Sequence, residues 1–291
     1  MPADSLSDIA IVIVNWRRPG DTIQCVLSLL SDGVKPEQII LIDNGSGDDS
    51  RDLIIRACPG LCFYSLPENL GFAGGYNFGI ARALETSARR VLLLNNDTVV
   101  QTGAIKVLAE SDWDVGVPKI LYFHHPERIW AAGAHWRSFP PMVVIRGYRQ
   151  KDSARYDKPV TLLYATGCVL MVRKKVLEAV GGFDPTFENY NEDYDFCFRV
   201  VKEGFKIGYV PESRVLHKIS QSLGITSPRF WHYLGRNTVL FYRKDHRFSV
   251  MGLWIVLVWM MLREIIKLNF HFVPAFWGGV KDGFQELVMS R

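Results

Sequence analysis

Short apolar segments alternate with segments of helical spacing over the first hundred or so residues, and this alternation constrains the fold more than any other feature of the sequence. The run IAIVIV at Ile9–Val14 is mostly β-branched, which is typical of a strand buried on both faces of a parallel sheet. Further strands are predicted at Gln38–Ile42, Leu61–Ser65 and Arg90–Leu94, with helices between them. The order predicts a doubly wound α/β half.

Composition limits the classes of function that such a chain can have. Of its 291 residues, 48% are hydrophobic, which is enough to form a core. Only 22% are charged, so disorder is not predicted. The net charge of +4 is too small to predict nucleic-acid binding, so we expect no nucleic-acid partner. Five cysteines without a CxxC pair do not predict a disulfide framework, and no secretory leader opens the sequence. We therefore expect a cytoplasmic protein.

Polar residues follow three of the predicted strands: Asn15 the first, Asp43 the second, and Asn95–Asp97 the fourth. In open α/β sheets the ligand crevice lies at the carboxyl ends of the strands, so these side chains should converge there. One such residue is commonly a turn former or a helix cap. Three in one half favour a binding site.

Two further segments have the chemistry of a phosphate and cation site. The glycine-rich stretch NLGFAGGYN leads into a helix whose first amides could face a phosphate, although glycines can also mark tight packing. Asp97, within Asn95-Asn96-Asp97, suits a divalent cation that also binds phosphate oxygens, whereas the alternative is a plain β-turn. His217 is a candidate second metal ligand or phosphate contact, although a lone histidine is usually structural.

The middle of the chain is less regular. Ser111–Val160 is predicted as an insertion or a set of short antiparallel strands, Leu162–Val172 as one strand, and Lys206–Val210 as the last strand. Between the last two of these strands, four acidic residues fall within eight positions, and two of them, Glu192 and Asp193, are adjacent. Helix starts favour acids, but such a pair can also supply a general base and a group that holds an acceptor hydroxyl.

The end of the chain contains 15 consecutive uncharged residues, Phe248–Leu262. As a helix this run would be about 22 Å long, and a bilayer core needs roughly 20 residues. We expect a helix lying in a membrane interface, with Trp254, Leu257, Val258 and Met261 towards the lipid. A buried core helix, a subunit interface that makes a homodimer, and a short membrane span are the alternatives.

Taken in order, these segments resemble the inverting family 2 glycosyltransferases of GT-A fold, and within them the bacterial rhamnosyltransferase-like branch. The resemblance runs from about Ile9 to Asp245, and it is carried by IVIVNW, IILIDNGSGDDS, NLGFAGGYNFGIARAL, VLLLNNDTVV, the long segment from ATGCVLMV to PESRVLH, and the RN of GRNTVLFYRKD. It implies a Rossmann-like nucleotide-sugar-binding half at 1–110, an acceptor-binding and catalytic half at 111–245, and a helical tail at 246–291.

The resemblance also assigns roles on the donor side. Asn15 and Asp43 would contact the base and ribose of a nucleoside-diphosphate sugar. Gly71, Gly74 and Asn77 would line the donor site near the ribose or phosphate.

The remaining roles concern the metal and the chemistry. Asn95 would touch the ribose, and Asp97 with His217 would hold Mg²⁺ or Mn²⁺, although the family motif often begins with Asp where this chain has Asn95. Asp193 would be the catalytic base, and Glu192 would hold the acceptor or the base.

The implied activity is transfer of a sugar, with rhamnose suggested by the branch, to a hydroxyl of a glycan or lipid-linked acceptor at the inner face of the cell membrane. Two other functions are weighed against it. A sugar nucleotidyltransferase should carry a glycine-rich signature after the first strand, and NWRRPGD fits that poorly. A non-catalytic scaffold would not need the intact Asp97, Asp193 and His217.

Overall fold

The computed structural model describes residues 6–219, 227–244, 249–266 and 270–289, and within them a separate two-stranded sheet accompanies one mixed ten-stranded β-sheet. Its strand order is β10-β12-β6-β11-β4-β1-β2-β3, with β5 beside β12 and β7 beside β6. The first half of the chain supplies β1 (Ile9–Asn15), α1 (Pro19–Ser31), β2 (Ile39–Asp43), α2 (Ser50–Ala57), β3 (Cys62–Ser65), α3 (Gly71–Leu84) and β4 (Arg90–Asn95).

The parallel part of the sheet confirms the predicted α/β half. β1 lies between β2 and β4 and is parallel to both, and β2 is parallel to β3. Alternate residues of β1 belong to two separate apolar clusters, with Val12 on one face and Ile11 and Ile13 on the other, all fully buried. Helices cover both faces, so every position of the strand must be apolar until it ends.

The second half continues the same sheet with antiparallel and parallel neighbours. β11 is antiparallel to β4 and β6, and β12 is parallel to β6. Its elements are β5 (Thr98–Val100), α4 (Ala104–Glu110), β6 (Val115–Tyr122), β7 (Ile129–Ala131), β8 (Ala134–Ser138), β9 (Pro141–Ile145), β10 (Val160–Leu162), β11 (Val169–Arg173), α5 (Lys174–Val180), α6 (Glu192–Lys202) and β12 (Ile207–His217).

Two predicted strands differ from the observed ones. Leu162–Val172 is not one strand, because β10 pairs with β12 while β11 pairs with β4 and β6, and a loop must cross between them. The strand predicted to stop at Val210 continues to His217, with a register shift between Val210 and Arg214 that accommodates Pro211. Proline has no N–H to donate to a neighbouring strand, so Pro211 predicts the end of the strand from sequence. In the structure the strand resumes after it.

Three helices end the chain: α7 (Pro228–Lys244), α8 (Val250–Ile266) and α9 (Val273–Met289). α7 and α9 pack so closely that a Cβ on Gly235 would stand 2.3 Å from the Phe276 carbonyl oxygen, and one on Gly279 would stand 1.9 Å from that of His232. Only glycine allows this approach. The predicted boundary at Asp245 lies outside the described residues.

The lipid-facing side predicted for α8 is wrong in part. Leu257 and Met261 are buried in the large apolar cluster that also contains strand residues of the sheet, whereas Trp254 and Val258 are exposed. A helix that packs on one side keeps only its opposite side for other partners. None of the helices in the described ranges has the length and apolar character needed to cross a membrane.

Candidate functional site

A cavity of about 660 Å³ opens at the carboxyl ends of β1, β2 and β4. This is the edge at which α/β sheets bind ligands. Its wall comprises the strand-end residues Val14, Asn44, Asn95, Asn96 and Asp97, the glycine-rich entry into α3, the segment 188–190, and the side chains of Trp16, Arg18, His217 and Arg229.

Asn15 and Asp43 are adjacent, as the topology predicts, but they form a layer behind the cavity wall. Asn15 Nδ2 donates to Asp43 Oδ1 at 2.8 Å, and Asn15 Oδ1 accepts from Thr22 Oγ1 at 2.7 Å. Thr22 in turn accepts from Asn96 Nδ2 at 2.9 Å. Because Asn15 is fully buried, it contributes by fixing the strand ends that carry the wall.

Gly71 stands at the cavity, and the backbone explains why it is glycine. Its φ is +72°, and a Cβ there would lie 3.2 Å from the Glu188 carbonyl oxygen. The next N–H, of Phe72, donates to that same oxygen at 3.1 Å. Asn44 Nδ2 donates to the Gly71 carbonyl at 2.9 Å, so the start of α3 is held from two sides.

Gly74 and Asn77 do not line the cavity, which corrects the donor-side position expected for them. Both carboxamide atoms of Asn77 bond the backbone of Phe183: Nδ2 donates to its carbonyl at 2.7 Å, and Oδ1 accepts from its N–H at 2.8 Å. Gly74 lies one turn along α3 from Leu70, whose Cβ would be 2.6 Å from a Cβ at Gly74. Asn77 therefore fastens α3 to the loop after α5.

Asp97 and His217 form the most compact pair of candidate ligands on the wall. His217 Nε2 lies 3.1 Å from Asp97 Oδ1, because β12 extends beside β5 and sets His217 opposite Thr98. The His217 ring stands edge-on to Trp130, with centroids 4.4 Å apart. Its Nδ1 is buried and finds no hydrogen-bond partner in the described parts of the chain.

This pair fits a divalent cation that takes few protein ligands. A carboxylate oxygen and an imidazole nitrogen face one cavity, and such ions complete their shell with phosphate and water. Across the residues that the structure describes, no group of three or more His, Cys, Asp or Glu could hold a metal by itself.

Asp193 lies beside the cavity, in the first turn of α6. Its Oδ2 accepts from the Gly167 N–H at 2.9 Å, and its Oδ1 accepts from the Tyr194 N–H at 2.8 Å. Burial raises the pKa of Asp193 to about 6, although these hydrogen bonds oppose the rise. A Cβ at Gly167 would lie 3.4 Å from the Phe72 ring, and Phe72 lines the cavity.

Glu192 is still more enclosed than its neighbour. It is buried, and its Oε2 has no hydrogen-bond partner within the described segments. Burial raises the pKa of Glu192 well above its ordinary value, and the nearby charge of Asp193 adds to the rise. The pair thus has one carboxyl biased towards the neutral form beside one that ionises near neutral pH.

Sequence reasoning missed several residues of the wall. Arg18 and Arg229 bring two cations to it, and Tyr76 donates its hydroxyl to Asn95 Oδ1 at 3.0 Å. Arg18 could have been found in NWRRPGD, because it lies in the short segment that follows a predicted strand end. Arg229 lies far along the chain in α7, and no sequence signal connects it to the cavity.

Comparison with known proteins gives the class that this fold and cavity define. The sequence profile described as Glycosyl transferase family 2 matches residues 10–181, more than half of the chain. A second profile, described as the N-terminal domain of galactosyltransferase, matches residues 150–221. The chain belongs to glycosyl transferase family 2 and is a glycosyltransferase.

Three similar proteins indicate which members of the family this chain resembles. The N-acetylglucosaminyl-diphospho-decaprenol L-rhamnosyltransferase of Mycobacterium tuberculosis is 26% identical over 91% of this chain and 93% of its own length. The low-salt glycan biosynthesis hexosyltransferase Agl10 of Haloferax volcanii is 25% identical over 97% of this chain and 92% of its own. The dTDP-rhamnosyl transferase RfbF of Shigella flexneri is 25% identical over 82% of this chain and 81% of its own length. The chain is thus rhamnosyltransferase-like.

A solved structure supports the fold. The crystal structure of GalNAc-T7 with UDP, GalNAc and Mn²⁺ matches 80% of this chain and 48% of its own, with a TM-score of 0.61 and 17% sequence identity. The mixed sheet is therefore of the GT-A type, as the sequence predicts.

Proposed function

We propose that this glycosyltransferase moves a sugar from a nucleoside-diphosphate donor to a hydroxyl of a glycan or lipid-linked acceptor, with inversion at the anomeric carbon. One observation carries the proposal. The Asp97–His217 pair, at 3.1 Å, faces the same cavity as Arg18 and Arg229, and the half-buried base candidate Asp193 is adjacent. Rhamnose is the favoured sugar, because relatives that transfer rhamnose align over most of the chain.

Asp97 and His217 would hold Mg²⁺ or Mn²⁺ together with the donor diphosphate. The similar solved structure contains UDP and Mn²⁺, which supports this assignment. When bound, such an ion acts as a Lewis acid that neutralises the leaving diphosphate. Arg18 and Arg229 would add positive charge for the phosphates.

Asp193 would take the proton of the acceptor hydroxyl as that oxygen attacks from the face opposite the diphosphate. A carboxyl with a pKa of about 6 is largely ionised at neutral pH and is a better base than an ordinary aspartate. The two backbone N–H groups that bond Asp193 fix its direction. Glu192, neutral beside it, would hold the base or the acceptor without adding a second charge.

The proposal is tested by nucleotide binding followed by product analysis. A panel of nucleoside diphosphates, each with Mg²⁺ or Mn²⁺, should include one that raises the melting temperature, because a ligand that binds only the native state stabilises it. The matching sugar nucleotide should then yield an inverted glycoside with a lipid-linked acceptor. Pyrophosphate release from a nucleoside triphosphate would instead indicate a nucleotidyltransferase. Binding without transfer to any acceptor of the panel would favour the scaffold.

We also propose that the outer side of α8 rests on an anionic membrane at the cytoplasmic face. Met251, Trp254, Val258 and Leu262 are 71%, 44%, 46% and 52% exposed and follow one another at spacings of three to four residues. This row replaces the side expected from sequence. Arg263, which follows it, could meet lipid phosphates at the surface.

Vesicle co-sedimentation at low and high salt tests this contact. The double variant Trp254→Ser/Val258→Ser should remain in the supernatant, whereas Leu53→Ser, on an exposed apolar residue of α2, should sediment as the wild type does. Truncation of the tail is unsuitable, because α8 and α9 contribute to the core. A wild-type protein that stays soluble at low salt would exclude the membrane contact. A change from dimer to monomer in the double variant would identify a subunit interface.

A further inference from the structure

Three residues on one side of α7 hold the segment that precedes the paired acids. Tyr233 Oη donates to Glu188 Oε2 at 2.5 Å, and Arg236 Nη1 donates to the Thr186 carbonyl at 2.8 Å. The NH₂ group of Asn237 lies within hydrogen-bond distance of three carbonyls, those of Phe187 at 2.7 Å, Asn189 at 2.6 Å and Tyr190 at 2.9 Å, so one of its two N–H groups is shared between two of them. Positions i, i+3 and i+4 share a helix face, so all three act on the same segment.

The segment needs such support because its backbone is unfavourable. Glu188, Tyr190 and Asn191 have φ values of +51°, +70° and +68°, and none of them is glycine. Each such residue costs on the order of 1 kcal/mol or more and persists only where the surroundings impose it. Asn237 is fully buried beneath the segment, so its three hydrogen bonds are shielded from competition by water.

The same segment has two connections with the site. Glu188, Asn189 and Tyr190 line the cavity, and the Glu188 carbonyl accepts from the Phe72 N–H at the start of α3. The segment then runs directly into α6, which begins at Glu192. A shift of these carbonyls would therefore move both the cavity wall and the first turn that carries the acids.

We propose that Asn237 is a positioning residue for sugar transfer: its amide fixes the 187–190 segment and, through it, the direction of the Asp193 carboxylate. The inference rests on the proposed function and extends it to α7, which lies outside the residues matched by the family 2 profile. Asn237 acts on the backbone and does not itself reach the reacting atoms.

The chemistry of the side chain explains why asparagine suits this position. Its Oδ1 accepts from Arg236 Nη1 at 2.8 Å, which orients the NH₂ group towards the carbonyls. Aspartate has the same shape but no donor, so it would set a carboxylate against three carbonyl oxygens. Removal of the donors takes this partner from the carbonyls and loosens the segment, although the Phe187 carbonyl still accepts from the Asn189 N–H.

The test compares Asn237→Ala with a matched control on the same helix. Thr238→Val is the control, because Thr238 is also buried and, among the described residues, its hydroxyl bonds only the Leu234 carbonyl of its own helix. Asn237→Ala should lose about 100-fold in kcat, the cost of misplacing a catalytic group by roughly 1 Å. Its affinity for nucleoside diphosphate with Mn²⁺ and its KM for the donor should change much less, because Asn237 does not hold the strand-end part of the wall that carries Asp97 and His217. Thr238→Val should retain all three properties.

The outcomes separate this inference from the proposed function. A wild-type protein without transferase activity would overturn the proposed function itself. An active wild type with Asn237→Ala equal to Thr238→Val in kcat, or with nucleotide binding and kcat lost in parallel, would overturn the positioning role. If Asn237→Ala does not fold, Tyr233→Phe takes its place, because it keeps the ring and removes the two hydrogen bonds of the hydroxyl, to Glu188 and from Arg229. A selective loss of kcat in that variant supports the role of this α7 face, and unchanged kcat rejects it.

Discussion

The pH dependence of transfer gives the sharpest test of Asp193 as the base. Burial raises the pKa of this carboxyl to about 6 from an ordinary value of 3.8. Its ionised fraction should therefore fall from about nine tenths at pH 7 to about one tenth at pH 5, so kcat should fall about tenfold. An aspartate with the ordinary pKa would remain almost fully ionised over this range, and the same assay would show almost no change.

The assay measures kcat at saturating donor, acceptor and metal in buffers of constant ionic strength. Asp193→Asn keeps the shape of the side chain and removes its basicity, so transfer at pH 7 should fall by about 100-fold or more. Its residual activity should lose the decline below pH 6, and any decline that remains identifies other titrating groups. An unaltered decline in this variant, or near-normal turnover, would refute the assignment.

Glu192 has to be separated from Asp193 because the two carboxyls are neighbours and titrate together. Burial and the charge of Asp193 raise the pKa of Glu192 well above its ordinary value, which favours its neutral form. Glu192→Gln is then an approximate isostere of the native form and should keep kcat within about tenfold, with the decline near pH 6 preserved. A loss as large as that of Asp193→Asn would make Glu192 the base instead.

Three further predictions concern the metal, the fold and the linkage of stability to pH. Excess chelator should abolish transfer, and Asp97→Ala should weaken joint binding of Mn²⁺ and nucleoside diphosphate more than His217→Ala does; full activity in chelator would contradict the metal role. Asn77→Ala should lower the free energy of unfolding by about 1–3 kcal/mol, because it breaks both bonds to Phe183, and calorimetric titration should find nucleotide affinity unchanged. Because the folded pKa of Asp193 lies above its unfolded value, folding favours the protonated form. Wild-type stability should therefore decline as pH rises from about 4 through 6, and denaturant melts of Asp193→Asn should show a smaller decline, because the raised pKa of Glu192 contributes in the same direction.

Local patterns were sufficient for the parts of the fold in which each residue's environment follows from its neighbours in sequence. The strands predicted at Ile9–Val14 and Arg90–Leu94 match β1 and β4 to within one residue, and helices lie between the first four strands as predicted. A continuous apolar run indicates such a buried strand without reference to distant segments. The β12 strand beyond Pro211 and the short β5 were not predicted, because their pairing is with segments distant in sequence.

The candidate site also contains features that local sequence predicts and features that it does not. That polar strand ends would meet follows from parallel topology, and Asn15 and Asp43 do meet. Whether a polar residue faces the cavity or fastens the scaffold does not follow, because a carboxamide serves either purpose. Asn77 was expected at the donor and bonds Phe183, whereas Asn237 was only part of a matched motif and holds the segment beside the cavity.

The sequence alone indicated the family, and with it the GT-A architecture, because its ordered motifs resemble those of family 2, and its polar strand ends predicted the edge at which the cavity opens. Tertiary structure alone decided the 3.1 Å approach of His217 to Asp97, the burial that raises the pKa of Asp193, and the packing of α7 and α8. Distances and burial arise when segments far apart in sequence pack together. A local sequence pattern does not indicate which distant segments will pack together.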